Sequence, residues 1–219
     1  MSRPRTSTRT ITSFLNCRPM SAKLILILSI SLALNMLSGC AKPGNPSLYP
    51  EVVREFSAQP SKTLDVPCVV QDLETCGPAA MTEYLTYLGV TASLSGTAVT
   101  HDNVADVMKG WSGATDLDME RTASRFGCQT VYYGLTGDLN VDLRLLRYLV
   151  WSGQPVVVGI RHNTWTWFWY RNHYMLAVGY TRDYVLFHNG EKPYMPLGNE
   201  EFYKMWIGNG SFFTVERKR

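Results

Sequence analysis

The chain is poor in charge for its 219 residues. Charged residues make up 18% of it, and five of its 21 basic residues lie in residues 1–39, which contain no acidic residue. The rest of the chain carries 16 basic against 18 acidic side chains. A near-neutral body lacks the clustered basic face that a nucleic-acid partner requires, so we expect no such partner.

Cysteine is also scarce. The five cysteines stand at positions 17, 40, 68, 76 and 128, with no Cys-x-x-Cys pair. This spacing excludes a disulfide-framework miniprotein and disfavours a thiolate zinc site. His101, His162 and His188 lack the spacing of metal ligands, so the sequence predicts neither a metal nor a cofactor. Cys68 and Cys128 either pair as a disulfide in an oxidising compartment or are buried free thiols.

The apolar run near the N-terminus is too short to cross a membrane comfortably. It extends over 14 residues, from Leu24 to Leu37, whereas a spanning helix needs about 20. Its length is typical of the hydrophobic region of a signal peptide. Met20 followed by Lys23 makes a compact start for such a peptide. We therefore expect residues 1–39 to be a signal peptide whose true start is Met20.

The four residues Leu37-Ser38-Gly39-Cys40 resemble the lipobox of bacterial lipoproteins. The resemblance implies that Cys40 is acylated, for example with palmitate, and becomes the first mature residue. The protein is then held on the cell membrane or the outer membrane by its lipid, facing the periplasm. Ala41 disfavours retention in the inner membrane. The alternative is an ordinary signal-peptidase site followed by an unmodified cysteine.

The residues after the predicted signal peptide have the composition of a linker followed by a folded domain. Residues 40–62 begin with the Cys40 that the lipobox resemblance makes lipidated, and the richness of this segment in proline, serine and glycine predicts a flexible linker. The chain is 45% hydrophobic and 12% aromatic, enough for one ordinary core. The patterns predict an α+β fold in which an N-terminal helical half packs on a C-terminal, mainly antiparallel sheet. Helices are predicted over residues 76–88, 103–109, 115–127 and 140–151, and strands over residues 155–161, 173–181, 184–189 and 211–215. We expect Thr115 and Asp118 to form a capping box at the start of the third helix and Asn140 to cap the fourth.

Cys76 stands at the start of the first predicted helix, followed by Gly77 and Pro78. Backbone N–H groups and the helix dipole at such a terminus favour a thiolate, and lower the pKa of a cysteine that acts as a nucleophile. Gly77 permits the close approach of a substrate. The alternative is that Cys76 is a small buried hydrophobe, as free cysteines often are.

His173 opens a predicted strand and Asn189 ends the next one. A cysteine nucleophile needs a base, and the base needs a third group to orient its ring. The hairpin brings Asn189 towards His173, and Gln71, five residues before Cys76, is placed to donate to the oxyanion. The alternatives are that His173 only caps a strand and that Asn189 belongs to a tight turn.

These motifs together resemble the bacteriocin-processing, double-glycine-leader peptidase family and its papain-like relatives. The resemblance covers residues 66–213. It rests on Gln71, on the block from Cys76 to Ala80, on residues 155–158, and on the strand from His173 to Tyr180. It implies a papain-like cysteine peptidase domain over residues 63–219.

The resemblance also assigns roles to the site residues. Cys76 would be the nucleophile, His173 the general base and acid, and Gln71 the oxyanion donor. Asn189 stands where the family usually has aspartate, as in papain-like enzymes that use asparagine for this role.

We therefore expect a membrane-tethered thiol peptidase that cleaves an envelope or secreted peptide or protein through an acyl-enzyme. An acyl or peptidyl transferase and an inactive peptide-binding module are the alternatives. The aromatic segment of residues 163–172 predicts either a groove wall that includes Trp165 and Trp167, together with Gly77, or a segment that dips into a bilayer interface. The alternative for this segment is a hairpin whose rings pack on the core.

Overall fold

The computed structural model of the chain describes residues 60–71, 75–108, 114–162, 171–190, 192–208 and 210–218. All of them belong to one compact unit, Ala41–Arg219. The predicted signal peptide, Cys40, Trp165 and Trp167 lie outside the described residues. Among the helices of the described segments, none has both the length and the apolar character needed to cross a bilayer.

A single antiparallel sheet forms the centre of the fold. The strand order is β2-β7-β3-β4-β5-β6, and the short β1 pairs with the C-terminal end of β4. All pairings within the sheet are antiparallel, as predicted. The strands are β1 (Lys62–Thr63), β2 (Cys128–Gly134), β3 (Val156–His162), β4 (Arg171–Tyr180), β5 (Tyr184–Asn189), β6 (Lys192–Gly198) and β7 (Ser211–Arg217).

The described segments contain five helices beside the sheet. The first begins at Cys76, as predicted, and the third opens with the predicted capping box between Thr115 and Asp118. The prediction that Asn140 caps the fourth helix is wrong, because the side chain of Asp138 accepts from the backbone N–H groups of residues 140 and 141. The helices are α1 (Cys76–Tyr87), α2 (His101–Val107), α3 (Asp116–Arg125), α4 (Leu139–Trp151) and α5 (Asn199–Trp206).

Four of these elements were not predicted: β1, which begins at the last residue of the predicted linker 40–62, and β2, β6 and α5. The β6 strand contains Pro193 and Pro196, which normally argue against a strand. It tolerates them because it lies at the edge of the sheet, where some N–H groups have no partner strand to bond. The β2 strand follows directly on the turn that ends α3 at Gly127.

Helices cover both faces of the sheet at β5. Side chains alternate along a strand, and Phe187 contacts Phe202 of α5, with ring centroids 4.8 Å apart. The next residue, His188, faces Glu83 of α1. The α1 helix is buried from Gly77 to Leu85, so its N-terminal end is held firmly against the sheet. The predicted α+β, papain-like class is confirmed, with α1 and α5 on opposite sides of the sheet.

Candidate active site

Cys76 is half-buried at the first position of α1. The first N–H groups of a helix have no intrahelical acceptor and carry the positive end of the helix dipole. The side chain of Thr75, which precedes the helix, makes no capping hydrogen bond. The thiol therefore lies where a negative charge on sulfur is favoured.

His173 lies near the start of β4, where it pairs with Ile160 of β3. Its Nε2 donates a hydrogen bond to Oδ1 of Asn189, at 2.7 Å. Because Oδ1 can only accept, this bond puts the proton of the neutral ring on Nε2 and leaves Nδ1 for Cys76. The Nδ2 of Asn189 donates to the sulfur of Met195 at 3.6 Å, which fixes the orientation of the amide.

A local irregularity of the sheet directs Asn189 towards His173. The pairing of β5 with β6 shifts register between Phe187 and Asn189. Such bulges re-aim side chains and are common beside active sites. The predicted pairing of Asn189 with His173 is thus present, but it depends on a register shift that the sequence did not predict.

Cys76 and His173 act on each other electrostatically. Burial raises the pKa of Cys76, but a hydrogen bond to His173 and its charge, with the backbone N–H groups of Tyr174 and Gly77, outweigh burial and lower it. Burial lowers the pKa of His173, and the hydrogen bond and charge of Cys76, with the bond to Asn189, outweigh it and raise it. The two shifts together favour a thiolate–imidazolium pair.

Gln71 lies at the Asn189 end of this constellation. A Cβ built on Gly190 would be 3.0 Å from Cγ and 3.1 Å from Nε2 of Gln71, so the glutamine packs directly on the glycine. Gly190 has a φ of 63°, which glycine adopts without strain. The structure therefore brings the amide of Gln71 beside the residue that follows Asn189.

Gly77 is buried rather than open. A Cβ at this position would lie 2.5 Å from the Cβ of Ala114 and 2.9 Å from Cε of Met119. The absence of a side chain thus lets the segment before α3 approach α1 closely. The predicted contact of Gly77 with a substrate stays a prediction, as does the groove formed by Trp165 and Trp167.

Asp116 supports the site, and the sequence analysis did not identify it. Its Oδ1 accepts a hydrogen bond from the hydroxyl of Tyr174 at 2.7 Å, and its carbonyl oxygen accepts one from Tyr132 at 2.7 Å. Burial and the charge of Asp116 raise the pKa of Tyr174, so the hydroxyl stays protonated as a donor. These bonds tie α3 and β2 to the residue next to His173.

The two remaining described cysteines, Cys68 and Cys128, are free thiols, which contradicts the alternative that they pair as a disulfide. Cys128 is buried and donates to the carbonyl oxygen of Phe126 at 3.6 Å. Cys68 is exposed, against the alternative that both are buried, and donates to the carbonyl oxygen of Gly190 at 3.5 Å.

Comparison with known proteins agrees with this geometry. The model of the Peptidase_C39 like family matches residues 63–211. None of the curated proteins compared with the chain is significantly similar to it.

Three solved structures are similar to the chain in fold. A C39-like peptidase candidate from Bacillus anthracis has a TM-score of 0.57 and 16% identity, over 74% of this chain and 100% of that chain. A double glycine motif protease from an AMS/PCAT transporter, solved with its leader peptide, has a TM-score of 0.54 and 16% identity, over 71% and 94%. The peptidase domain of Streptococcus ComA has a TM-score of 0.50 and 15% identity, over 69% and 98%.

The family match covers most of the chain, and it coincides with a cysteine at a helix N-terminus and a histidine oriented by an asparagine. The predicted relation to the leader peptidases is thereby confirmed at the level of the family. The chain belongs to the Peptidase_C39 like family of cysteine peptidases.

Proposed function

We propose that the protein is a lipid-tethered thiol peptidase that hydrolyses an envelope or secreted peptide or protein on the extracytoplasmic side of the membrane. The observation that carries the peptidase proposal is the 2.7 Å bond from His173 to Asn189, together with the mutual hydrogen bond of His173 and Cys76. An oriented imidazole beside a thiolate is the arrangement that nucleophilic catalysis by cysteine requires.

The reaction proceeds in two halves. The Cys76 thiolate attacks the peptide carbonyl carbon, and the carbonyl electron pair moves to the oxygen, which the Gln71 amide stabilises. When the carbonyl reforms, the C–N bond breaks, and the His173 imidazolium gives its proton to the leaving amine. His173 then takes a proton from water, whose oxygen attacks the thioester and releases the acid and Cys76.

Asn189 orients the ring of His173, which is the role that aspartate usually has in this family. Its Oδ1 holds the Nε2 proton of His173, so the ring keeps Nδ1 towards Cys76. The amide orients the ring without adding a negative charge to stabilise the imidazolium. The charge that stabilises it is therefore that of the Cys76 thiolate.

Two separate observations support the substrate class and the location. A structurally similar protease was solved with a leader peptide, which supports a peptide as the substrate here. The lipobox ending at Cys40, behind a signal-peptide-like run, supports lipid attachment outside the cytoplasm. The substrate is therefore sought among envelope peptides.

The peptidase proposal is tested by the pH dependence of alkylation by iodoacetamide, mapped to each cysteine. Partial burial and the charge of Glu83 raise the pKa of Cys68 to about 11, and burial raises the pKa of Cys128. At pH 6 we therefore expect labelling of Cys76 at least about tenfold faster than that of the other thiols.

We expect His173→Ala to abolish this rapid labelling and His101→Ala, in α2, to leave it unchanged. Wild-type protein should also generate new termini in a peptide library, and the Cys76→Ala variant should not. Labelling that is indifferent to His173, or a library left intact by wild-type protein, would contradict the proposal. Products joined to an added amine, in place of hydrolysis, would identify a transferase.

The tether is tested by metabolic labelling with palmitate and by fractionation of cells. We expect Cys40→Ser to lose the label and to release the protein from the membrane fraction. Cys17→Ser is the matched control, since Cys17 precedes the expected start at Met20. Label that persists in Cys40→Ser would refute lipid attachment at that residue.

A further inference from the structure

A second cluster of reactive side chains lies apart from the Cys76–His173 pair. It consists of Cys68, from the segment before Gln71, Glu83 of α1 and His188 of β5. One ligand atom from each lies within 4.8 Å of the other two. Because the three residues come from distant parts of the chain, no spacing in the sequence could indicate the cluster.

The buried imidazole of this cluster has no hydrogen-bond partner among the described residues. The side chain of His188 is only 1% exposed, and neither of its ring nitrogens has a hydrogen-bond partner in the described part of the chain. Buried imidazole nitrogens are normally bonded, so their state calls for an explanation. Glu83 is 3% exposed, and its Oε2 lies 3.5 Å from Nδ1 of His188.

The carboxylate of Glu83 is held in place from the other side. Its Oε1 accepts a hydrogen bond from the backbone N–H of Val69 at 2.8 Å. A buried carboxylate is costly unless a positive charge or several donors face it. Among the described residues, the Cys68 thiol and the imidazole ring of His188 also face it.

We propose that Cys68, Glu83 and His188 form a binding site for Zn²⁺. Thiolate sulfur, imidazole nitrogen and carboxylate oxygen are the donors that zinc prefers, and three protein ligands leave a fourth tetrahedral position for water. Zinc–ligand bonds of about 2.0 to 2.3 Å put neighbouring ligand atoms roughly 3.3 to 3.8 Å apart. The distance of 3.5 Å between Oε2 of Glu83 and Nδ1 of His188 falls within this range.

The exposed member of the cluster supplies the access and the adjustment that binding needs. Cys68 is exposed, so an ion can reach the two buried ligands from its side. Rotation of the Cys68 side chain away from the carbonyl oxygen of Gly190 brings the sulfur onto the ion. The thiol gives up its proton to solvent as the sulfur–zinc bond forms.

The ion would join two segments that lead to the active site. Cys68 is three residues before Gln71, and His188 directly precedes Asn189. A bound ion therefore cross-links the segment of the oxyanion donor to the strand that orients His173. Binding itself does not depend on the proposed peptidase activity.

The test uses Co²⁺ as a spectroscopic substitute in the full chain carrying Cys76→Ser, which removes the catalytic thiolate as a competing ligand. We expect one equivalent of Co²⁺ to produce a sulfur-to-cobalt charge-transfer band and intense visible bands of tetrahedral geometry, both displaced by Zn²⁺. Adding Cys68→Ser should abolish the charge-transfer band. Adding His188→Gln should weaken binding at least about tenfold.

Cys17→Ser, Cys40→Ser and Cys128→Ser are the matched controls and should each keep the band. A titration without a sulfur band, or a band that survives Cys68→Ser, would overturn the proposal. Protection from alkylation tests the site without substitution of any proposed zinc ligand. Zn²⁺ should slow the labelling of Cys68 at pH 9 but not that of Cys128, and equal labelling with and without Zn²⁺ would also overturn it.

Discussion

A single amide determines how the imidazole of the active site is presented. Because Oδ1 of Asn189 accepts from Nε2 of His173, the ring can meet Cys76 only through Nδ1. The amide in turn is held by Met195, which lies on β6, at the far end of the strand order. The edge of the sheet thus takes part in orienting the base.

The pH dependence of activity should respond to the charge at position 189. The lowered pKa of Cys76 and the raised pKa of His173 set the window in which the thiolate–imidazolium pair exists. In Asn189→Asp a carboxylate faces the ring and raises the pKa of His173 further. The alkaline limit of kcat should move up by about one pH unit.

The control for this prediction is Asn189→Ala, which removes the orienting bond and adds no charge. We expect it to lower kcat at all pH values without moving the alkaline limit upward. An alkaline limit in Asn189→Asp that coincides with that of the wild type would show that position 189 does not face the imidazolium.

The sequence identified the residues whose positions follow from local patterns. Cys76 is recognisable as a candidate site residue because Gly-Pro follows it at the start of a predicted helix. His173 is recognisable because it stands at the start of a run of β-branched and aromatic residues. Asp116 was missed because its partner Tyr174 is 58 residues away. Met195 was missed because nothing in a methionine on an edge strand indicates that it fixes an amide.

Among the helices and strands, α3 begins with a complete capping box. The Thr115 hydroxyl accepts from the N–H of Asp118, and the Asp118 side chain accepts from the N–H and the hydroxyl of Thr115. Asp116, which accepts from Tyr174, is the first residue of this helix. The cap therefore stabilises both the helix and the support beneath His173.

We predict that Thr115→Ala lowers the free energy of unfolding by about 1 kcal/mol, because it exposes the first-turn N–H groups of α3. Urea denaturation followed by circular dichroism measures the change. Thr91→Ala, at an exposed threonine outside the helices, is the control and should change stability by less than about 0.5 kcal/mol. Equal losses in the two variants would contradict the importance of the cap.

Element boundaries were predictable where a regular pattern met a strong stop signal. The β5 strand has the predicted bounds, since its alternation ends at Asn189 and Gly190. The α4 helix begins one residue earlier than predicted because Asp138, rather than Asn140, is its cap. The β6 strand could not be predicted from its own residues, because two prolines are acceptable only at an edge that the whole sheet defines.

At the scale of the whole molecule, a buried carboxylate connects α4 with α5. Asp142 is fully buried and accepts from the N–H and hydroxyl of Thr136, from the N–H of Gly137 and from the hydroxyl of Tyr203. The Tyr203 bond, at 2.8 Å, spans 61 residues. This hydrogen-bond network around Asp142 is complete only when all of its donors are in place, which requires the folded protein.

We predict that Asp142→Ala destabilises the protein by about 3 kcal/mol, because it leaves the buried hydroxyl of Tyr203 without its acceptor and removes the bonds that the same carboxylate makes to Thr136 and Gly137. Tyr203→Phe is the matched control, since it removes one donor and should cost about 1 kcal/mol. Chemical denaturation of both variants, with near-UV circular dichroism to verify the native fold, measures the difference. Similar losses would show that the other donors find acceptors elsewhere.

The position of β7 has a consequence for the order of folding. It is the last strand along the chain, yet it lies between β2 and β3 and pairs with both. Among the described strands β2 pairs only with β7, so it has no strand partner until residues 211–217 are synthesised. Closure of the sheet is therefore a late event with long-range contacts. A nascent chain therefore contains Cys76 and His173 before the sheet that carries His173 is completed by β7.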